Sequence, residues 1–311
     1  MKNDDKLNNP HDKLFKAAFK VKETVIEYLQ KFFPKELLSF INIHDLILDP
    51  TDYISHSLDE YYSDVVYRTH LEGRETALVL LFEHKTSITR ALFLQLLEYM
   101  LAIWKKDFSD KKPFTIIIPI VVYQGKRGFT KKPFYRYFPD LPESLRPFVP
   151  QFDFILTNVR KIGDDLIFDL NDNGILKTLF LAFKHLENTD FVIKNFNEFF
   201  KFYEENEHLK DFFLQFLLYL YHQSDLNREL IRDLVNQLPQ PLNSTAMSTY
   251  AQIKEEGKIE GKIEGKIDER IAVVKHGWLK GYSAETISDM TGYELHFVKE
   301  TIDFLQKNKD K

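Results

Sequence analysis

The chain has 311 residues, 44% of them hydrophobic, which suits one large domain with a small one, or two domains, and rules against wholesale disorder. Net charge is −5 and there is no cysteine. Disulfides, cysteine–zinc sites, iron–sulfur clusters and cysteine nucleophiles are therefore excluded, and a nucleic-acid partner would have to meet a local basic patch.

Residues 1–10 are polar, look like a flexible arm and make no signal peptide; no apolar run reaches the ~18 residues of a spanning helix. A cytoplasmic protein with no membrane partner is expected. Leu14, Phe15, Ala18, Phe19, Val25, Ile26, Leu29 and Phe32 recur at helical spacing and predict one helix over 12–33. Pro34 opens a second, short helix. Residues 42–60 read as a loop or a short irregular strand.

Residues 61–71 alternate, with Tyr62, Asp64, Val66, Arg68 and His70 on one side. A turn at 72–75 leads into the apolar run 76–82, so the pair reads as a β-hairpin whose second strand is buried. Residues 88–104 predict a helix and 114–123 a buried strand. Residues 126–155 carry five prolines and read as a long ordered loop, with one more strand near 152–158. From 171 to 237 the pattern is helical and dense in Phe. The 28 Phe against 2 Trp predict a Phe-rich core. After a linker, Glu-Gly-Lys-Ile repeats three times over 256–267, and 271–305 predicts three short helices with an N-cap at Ser283.

The chemistry concentrates between Asp64 and Tyr99. Glu83 and Lys85 share one face of a strand end, because side chains alternate, and Asp64 lies on the partner strand. A hairpin centred near residue 73 would set Asp64 opposite a residue near 82. Two carboxylates there can hold Mg²⁺ (Mn²⁺ as substitute), with water, phosphate oxygens and the His84 main-chain carbonyl completing the ligand set. Lysine can orient the attacking water and offset charge on phosphorus. The plain alternatives are a solvent-facing Asp64 and a surface ion pair of Glu83 with Lys85. Lys126, Arg127, Lys131, Lys132 and Arg136, interleaved with aromatic residues, suit a DNA groove or simply a solvated loop.

Asp64, Glu83-x-Lys85 and Gln95-Leu96-x-x-Tyr99 resemble the PD-(D/E)XK nuclease superfamily, in its RecB-like branch. His11-Asp12-x-x-Phe15-Lys16, the stretch 62–68, the stretch 82–87, the stretch 95–100 and the stretch 118–125 resemble the Rpn family of recombination-promoting nucleases, which are transposase-like. The resemblance covers about residues 10–240 and, more loosely, the tail. It implies an α/β (α+β) restriction-endonuclease-like core: helix, three strands, helix, strand, a mixed sheet flanked by helices. An all-helical region and a helical tail would follow. The expected division is an arm at 1–10, the nuclease core at 11–160, a helical extension at 161–240 packed on the core, a linker and repeat helix at 241–270, and a small helical unit at 271–311.

By matching positions, Asp64 and Glu83 would hold the metal, Lys85 would be the catalytic lysine, and Gln95 would orient the lysine, the water or the phosphate. His11 matches a metal-binding histidine of an early helix; Asp12 is the rival acid there, or else caps the helix beside an exposed His11. Tyr99, one turn beyond Gln95, is either near the phosphate or core. Ser63 stands where the superfamily's proline would be, and the first core strand is obscure, within 43–56. The function implied is Mg²⁺-dependent endonucleolytic cleavage of DNA in recombination, transposition or defence, with self-association through the C-terminal helices. The alternatives are a catalytically weak DNA-binding or recombination accessory protein, and an oligomeric protein-interaction module.

Overall fold

The apolar periodicities translate into alternating helices and strands. The computed structural model describes residues 10–49, 64–70, 77–85, 91–126, 129, 131–170, 173–202, 209–240, 242–244, 246–248, 251 and 269–307; at 64, 77–84, 304, 306 and 307 it describes the backbone alone. The arm, the hairpin turn, Arg127 and the Glu-Gly-Lys-Ile repeats lie outside the described residues. Contacts divide the chain into two units, one within 6–246 and one within 247–311.

In the larger unit the N-terminal helical stretch is two helices, α1 (Pro10–Phe19) and α2 (Lys22–Phe32), where the periodicity predicts one. The break falls at Val21, whose backbone is extended. It has a physical cause. The buried positions run 14, 15, 18, 19 and then slip in phase to 24, 25, 28, 29, so one straight helix could not bury both sets. A short α3 (Lys35–Leu38) follows Pro34, and then strand β1 (Ile47–Asp49), inside the bracket expected for the first strand. Strands β2 (Asp64–His70) and β3 (Ala77–Lys85), helix α4 (Ala91–Ser109), β4 (Ile116–Tyr123) and β5 (Ile155–Asn158) complete a five-stranded sheet of order β1-β2-β3-β4-β5. β1, β2 and β3 are antiparallel neighbours, whereas β4 runs parallel to β3 and β5 parallel to β4. The parallel return from β3 to β4 requires a crossover, and α4 supplies it.

The sheet has a helix layer on each face. On one face α4 packs through Leu92, Phe93, Leu96, Tyr99 and Ile103 onto Val66, Ile117 and Val121. On the other, the Tyr67 hydroxyl reaches the Lys20 carbonyl at the end of α1 (3.0 Å), and Tyr28 of α2 shares a hydrogen bond with Thr157 of β5 (2.6 Å). One buried charge network pins the far end of the α4 face. Arg68 pairs with Asp49, and its second nitrogen lies 3.8 Å from Asp107, whose other oxygen accepts from the Thr115 backbone amide at 2.9 Å. β1, β2, α4 and the approach to β4 meet at that guanidinium.

Helices α5 (Asp164–Phe168), α6 (Ile175–His185), α7 (Thr189–Lys194), α8 (Lys210–Gln223) and α9 (Arg228–Asn236) follow. Their Phe side chains form the expected core: Phe180, Phe183, Phe199, Phe200, Phe202, Phe212, Phe213 and Phe216 are all buried. Gly174 opens α6 with φ +70°, and a Cβ there would stand 2.9 Å from Phe202 backbone atoms, so only glycine fits. The smaller unit holds helices at 269–279, Ala284–Thr291 and Leu295–Lys307 around Val274, Ile287, Val298 and Ile302. Ser283 caps its second helix, accepting from the Thr286 amide at 3.1 Å, as the sequence predicts.

Candidate active site

Position 64 of β2 is the direct cross-strand partner of position 83 of β3. The hairpin is therefore centred between residues 73 and 74, and Asp64 faces Glu83 rather than a residue near 82. Cα atoms of such antiparallel partners lie about 4.5–5.5 Å apart. Two like charges directly opposite one another in a sheet oppose folding unless something neutralises them. Alternation puts position 85 on the face of position 83, with position 84 on the other face. β4 extends this face, since Glu83 pairs with Val121 and Lys85 with Tyr123, while His84 pairs with Val122.

The α4 layer covers that same face. Val66 is two residues from Asp64 and Val121 is the partner of Glu83, and both pack in the cluster of Leu92, Leu96 and Tyr99. Gln95 sits among these contacts with 6% of its surface exposed, and among the described residues its Nε2 is buried without a hydrogen-bond partner. A buried donor left unmatched costs about 1–3 kcal/mol, so a helix that keeps one has a use for it. Tyr99 has no exposed surface and belongs to the core cluster.

An isosteric test separates use from packing. In Gln95→Leu the orphan amide disappears, and the protein should be more stable by about 1 kcal/mol. Turnover on any substrate of this site should nevertheless fall. A variant both less stable and fully active would show that Gln95 serves packing alone.

His11 is not placed with these positions. Its Nδ1 lies 2.8 Å from Gln124 Nε2 and 2.7 Å from the Tyr219 hydroxyl, and its ring packs edge-on against Tyr219 and Phe183. It is thus held in the α1 layer, behind the sheet face that carries 64, 83 and 85. It is also not simply exposed. Asp12 is no cap, because α1 begins at Pro10 and Asp12 stands in its first turn.

The basic cluster is partly spent. Lys126 pairs with Glu187 at 2.6 Å, and Lys131 pairs with Asp153 at 2.8 Å while donating to the Phe154 carbonyl. Lys132 and Arg136 are exposed, and Arg136 lies over the Tyr135 ring. Two of the interleaved aromatic rings are engaged inward. Phe134 is buried and stacks on Phe93 at 5.0 Å, and Tyr137 packs on Phe93 at 5.2 Å. The loop 131–154 is therefore a cover over α4, built from two short 3₁₀ turns.

The donor set at 64 and 83 is oxygen only, which is the chemistry of Mg²⁺ rather than of zinc or copper. Cross-strand like charge fits such a cation with its waters. Among the described residues there is no grouping of three or more His, Cys, Asp or Glu side chains suited to a metal. Nor is any described helix long and apolar enough to cross a membrane.

The chain is 24% identical over 200 residues to the "Inactive recombination-promoting nuclease-like protein RpnE" of Escherichia coli K12, covering 60% of the chain and 61% of that protein. It is 26% identical over 188 residues to the "Recombination-promoting nuclease RpnC" of the same strain, covering 59% and 61%. A shorter match, 24% over 119 residues, is to "Recombination-promoting nuclease RpnA", covering 38% and 41%. The chain thus spans about three fifths of the length of the first two curated relatives. No solved structure matches it. A family model described as "Putative transposase, YhgA-like" matches residues 9–211, more than half of the 311, and the chain belongs to that family.

Proposed function

We propose that the chain is a Mg²⁺-dependent DNA endonuclease with a PD-(D/E)XK core. The observation that carries this reading is the register that sets Asp64 against Glu83, two residues before Lys85, on the sheet face that the helix of Gln95 covers. The order of helix, three-stranded antiparallel meander, helix and parallel strand supports it, being the order that such a core requires. The names of three recombination-promoting nuclease relatives support a recombination-linked role.

Asp64 and Glu83 would hold Mg²⁺, with the His84 carbonyl in reach of the same coordination sphere. The bound cation would lower the pKa of a water and neutralise the phosphate. Lys85 would position that water and offset the charge that grows on the phosphoryl oxygens as the water attacks phosphorus in line and the 3′-oxygen leaves. Gln95 Nε2 is a donor, so it serves a water or phosphate oxygen rather than the Lys85 ammonium. Lys132 and Arg136 extend the contact with DNA phosphates, with Lys126, Arg127 and Lys131 nearby in sequence. Such an enzyme works in the cytoplasm, where its DNA is.

The second reading is a DNA-binding accessory protein without strong cleavage, and one observation favours it: a relative that matches over 200 residues is named inactive. Incubation of the purified protein with supercoiled, linear and single-stranded DNA in Mg²⁺, Mn²⁺, Ca²⁺ or EDTA separates the two. Nicking in Mg²⁺ and Mn²⁺ that stops in EDTA supports the enzyme. Binding without cleavage in every metal supports the accessory protein.

Lys85→Ala should cut turnover strongly and leave Mg²⁺ affinity unchanged by calorimetry, since the ammonium contributes charge and not ligation. The C-terminal helices are proposed to join subunits so that both strands are cut. Light scattering should then give a smaller oligomer for residues 1–245 than for the full chain. Equal states in the two would remove the tail from that role.

A further inference from the structure

A cavity of about 190 Å³ lies beyond the carboxyl ends of β4 and β5, and none of its lining residues belongs to the set 64, 83, 85, 95 and 99. It is large enough for a group of a few heavy atoms, given about 30 Å³ of liquid volume per water. Five separate segments build it: the start of α1, the turn after β4, the turn after β5, the end of α6 and the end of α8. A backbone hydrogen bond ties its lining residue Gln124 to Lys85. The backbone amide of Gln124 donates to the Lys85 carbonyl at 3.0 Å.

The wall is a donor surface. Lys126, Arg160 and Lys184 line it against a single carboxylate, Glu187. Glu187 is committed to Lys126 at 2.6 Å, and Lys184 is held from behind by Asp164 at 2.6 Å. Burial pushes the Asp164 carboxyl up, but hydrogen bonds from Lys184 and His185 and their charges hold it below the usual range. Arg160 is different. Its Nε donates to the Gln124 carbonyl at 2.7 Å and its Nη1 to the Lys184 carbonyl at 3.4 Å, and among the described residues no carboxylate pairs with it. A partly buried guanidinium ordinarily has an anionic partner. Gln124 Nε2 donates to His11 Nδ1 and keeps a second N–H as a neutral donor, while the Tyr219 hydroxyl spends its proton on the same nitrogen at 2.7 Å.

We propose that this cavity binds a phosphoryl group of the DNA, with Arg160 as its anionic group's main partner. The inference rests on the nuclease reading for the identity of the polymer, and its chemistry stands on the wall itself. A phosphate seated there would fix the strand one step beyond Lys85. It would also give His11 and Gln124 a role that metal binding does not supply.

The test is done in EDTA, without cleavage, so it reads separately from nuclease activity. Inorganic phosphate at constant ionic strength should raise the melting temperature of the full chain. The rise should vanish in Arg160→Gln and in Gln223→Glu, the latter placing a carboxylate in the wall without removing any contact of Arg160. Short single strands with a 5′-phosphate or a 5′-hydroxyl are then compared. Both variants should bind DNA about tenfold more weakly than wild type, one charge-assisted contact being worth that much. Lys35→Gln, which removes an equal charge from an exposed helix, should change affinity far less.

A wild-type preference for the 5′-phosphate assigns a chain end, and equal affinity for both strands assigns a backbone phosphate. A phosphate effect that survives in Arg160→Gln and Gln223→Glu, or DNA affinity unchanged in both, overturns the proposal. Wild-type DNA binding that loses as much in Lys35→Gln as in Arg160→Gln overturns it too.

Discussion

Asp64→Ala and Glu83→Ala should each abolish Mg²⁺-dependent nicking of supercoiled plasmid while the chain stays folded. The two positions are direct cross-strand partners, so either change removes half of the proposed cation site. Loss of a charge-stabilising group at a reacting centre typically costs 10²–10³-fold in rate, roughly, and loss of a metal ligand more. The fold should report the same pair in a second way. Without metal, two carboxylates opposite one another in a sheet repel. In EDTA, then, Asp64→Ala should melt no lower than wild type, and Mg²⁺ should raise the melting temperature of wild type but not of the variant. Wild-type nicking in either variant would displace the site.

The largest stability effect is expected at Phe93→Ala, at about 3–5 kcal/mol. Phe93 is buried at 1% exposure and is the hub of the layer that holds α4 down. Its ring stacks on Phe134 and meets Phe152 at 5.8 Å and Phe154 at 5.6 Å edge-on. Phe93→Leu keeps most of the volume and should cost less than about 1.5 kcal/mol. The neighbouring Leu94 is 56% exposed, and Leu94→Ser should be near neutral. Chemical denaturation with unchanged m-values checks all three. Equal losses at 93 and 94 would mean that the loop 131–154 does not clamp α4.

What the sequence disclosed follows the strength of local pattern. β2, β3, β4 and α4 carry long alternating or helical apolar runs, and each is where the pattern places it. β1 is three residues long, too short for any periodicity, and only its interval was readable. The break between α1 and α2 shows only as a slip in spacing after Phe19. The hairpin register was off by one residue because the turn centre lies between 73 and 74, and composition does not fix a half-residue. That half-residue decides whether Asp64 faces Glu83.

Within the site, Glu83-x-Lys85 and Gln95 were legible as spacing on a strand and on the helix after it. The burial of the Gln95 amide was not, since it depends on Val66 and Val121 meeting α4 across the sheet. The network of Asp49, Arg68 and Asp107 was missed, although Asp107 continues the buried stripe 96, 99, 103 by one more turn. The cavity was missed for a different reason. Arg160, Lys184 and Tyr219 are ordinary residues of their segments and become a wall only when five distant stretches converge. The early-helix histidine is a metal candidate by resemblance, and its contacts to Gln124 and Tyr219, which no local pattern foretells, make it part of that wall.

The central claim is that one divalent cation is held between Asp64 and Glu83. Anomalous diffraction from crystals of the protein grown with Mn²⁺ tests it most directly. A peak within about 2.2 Å of a carboxylate oxygen from each of the two residues is the expected result. A peak at His11 with none between β2 and β3 would contradict the account.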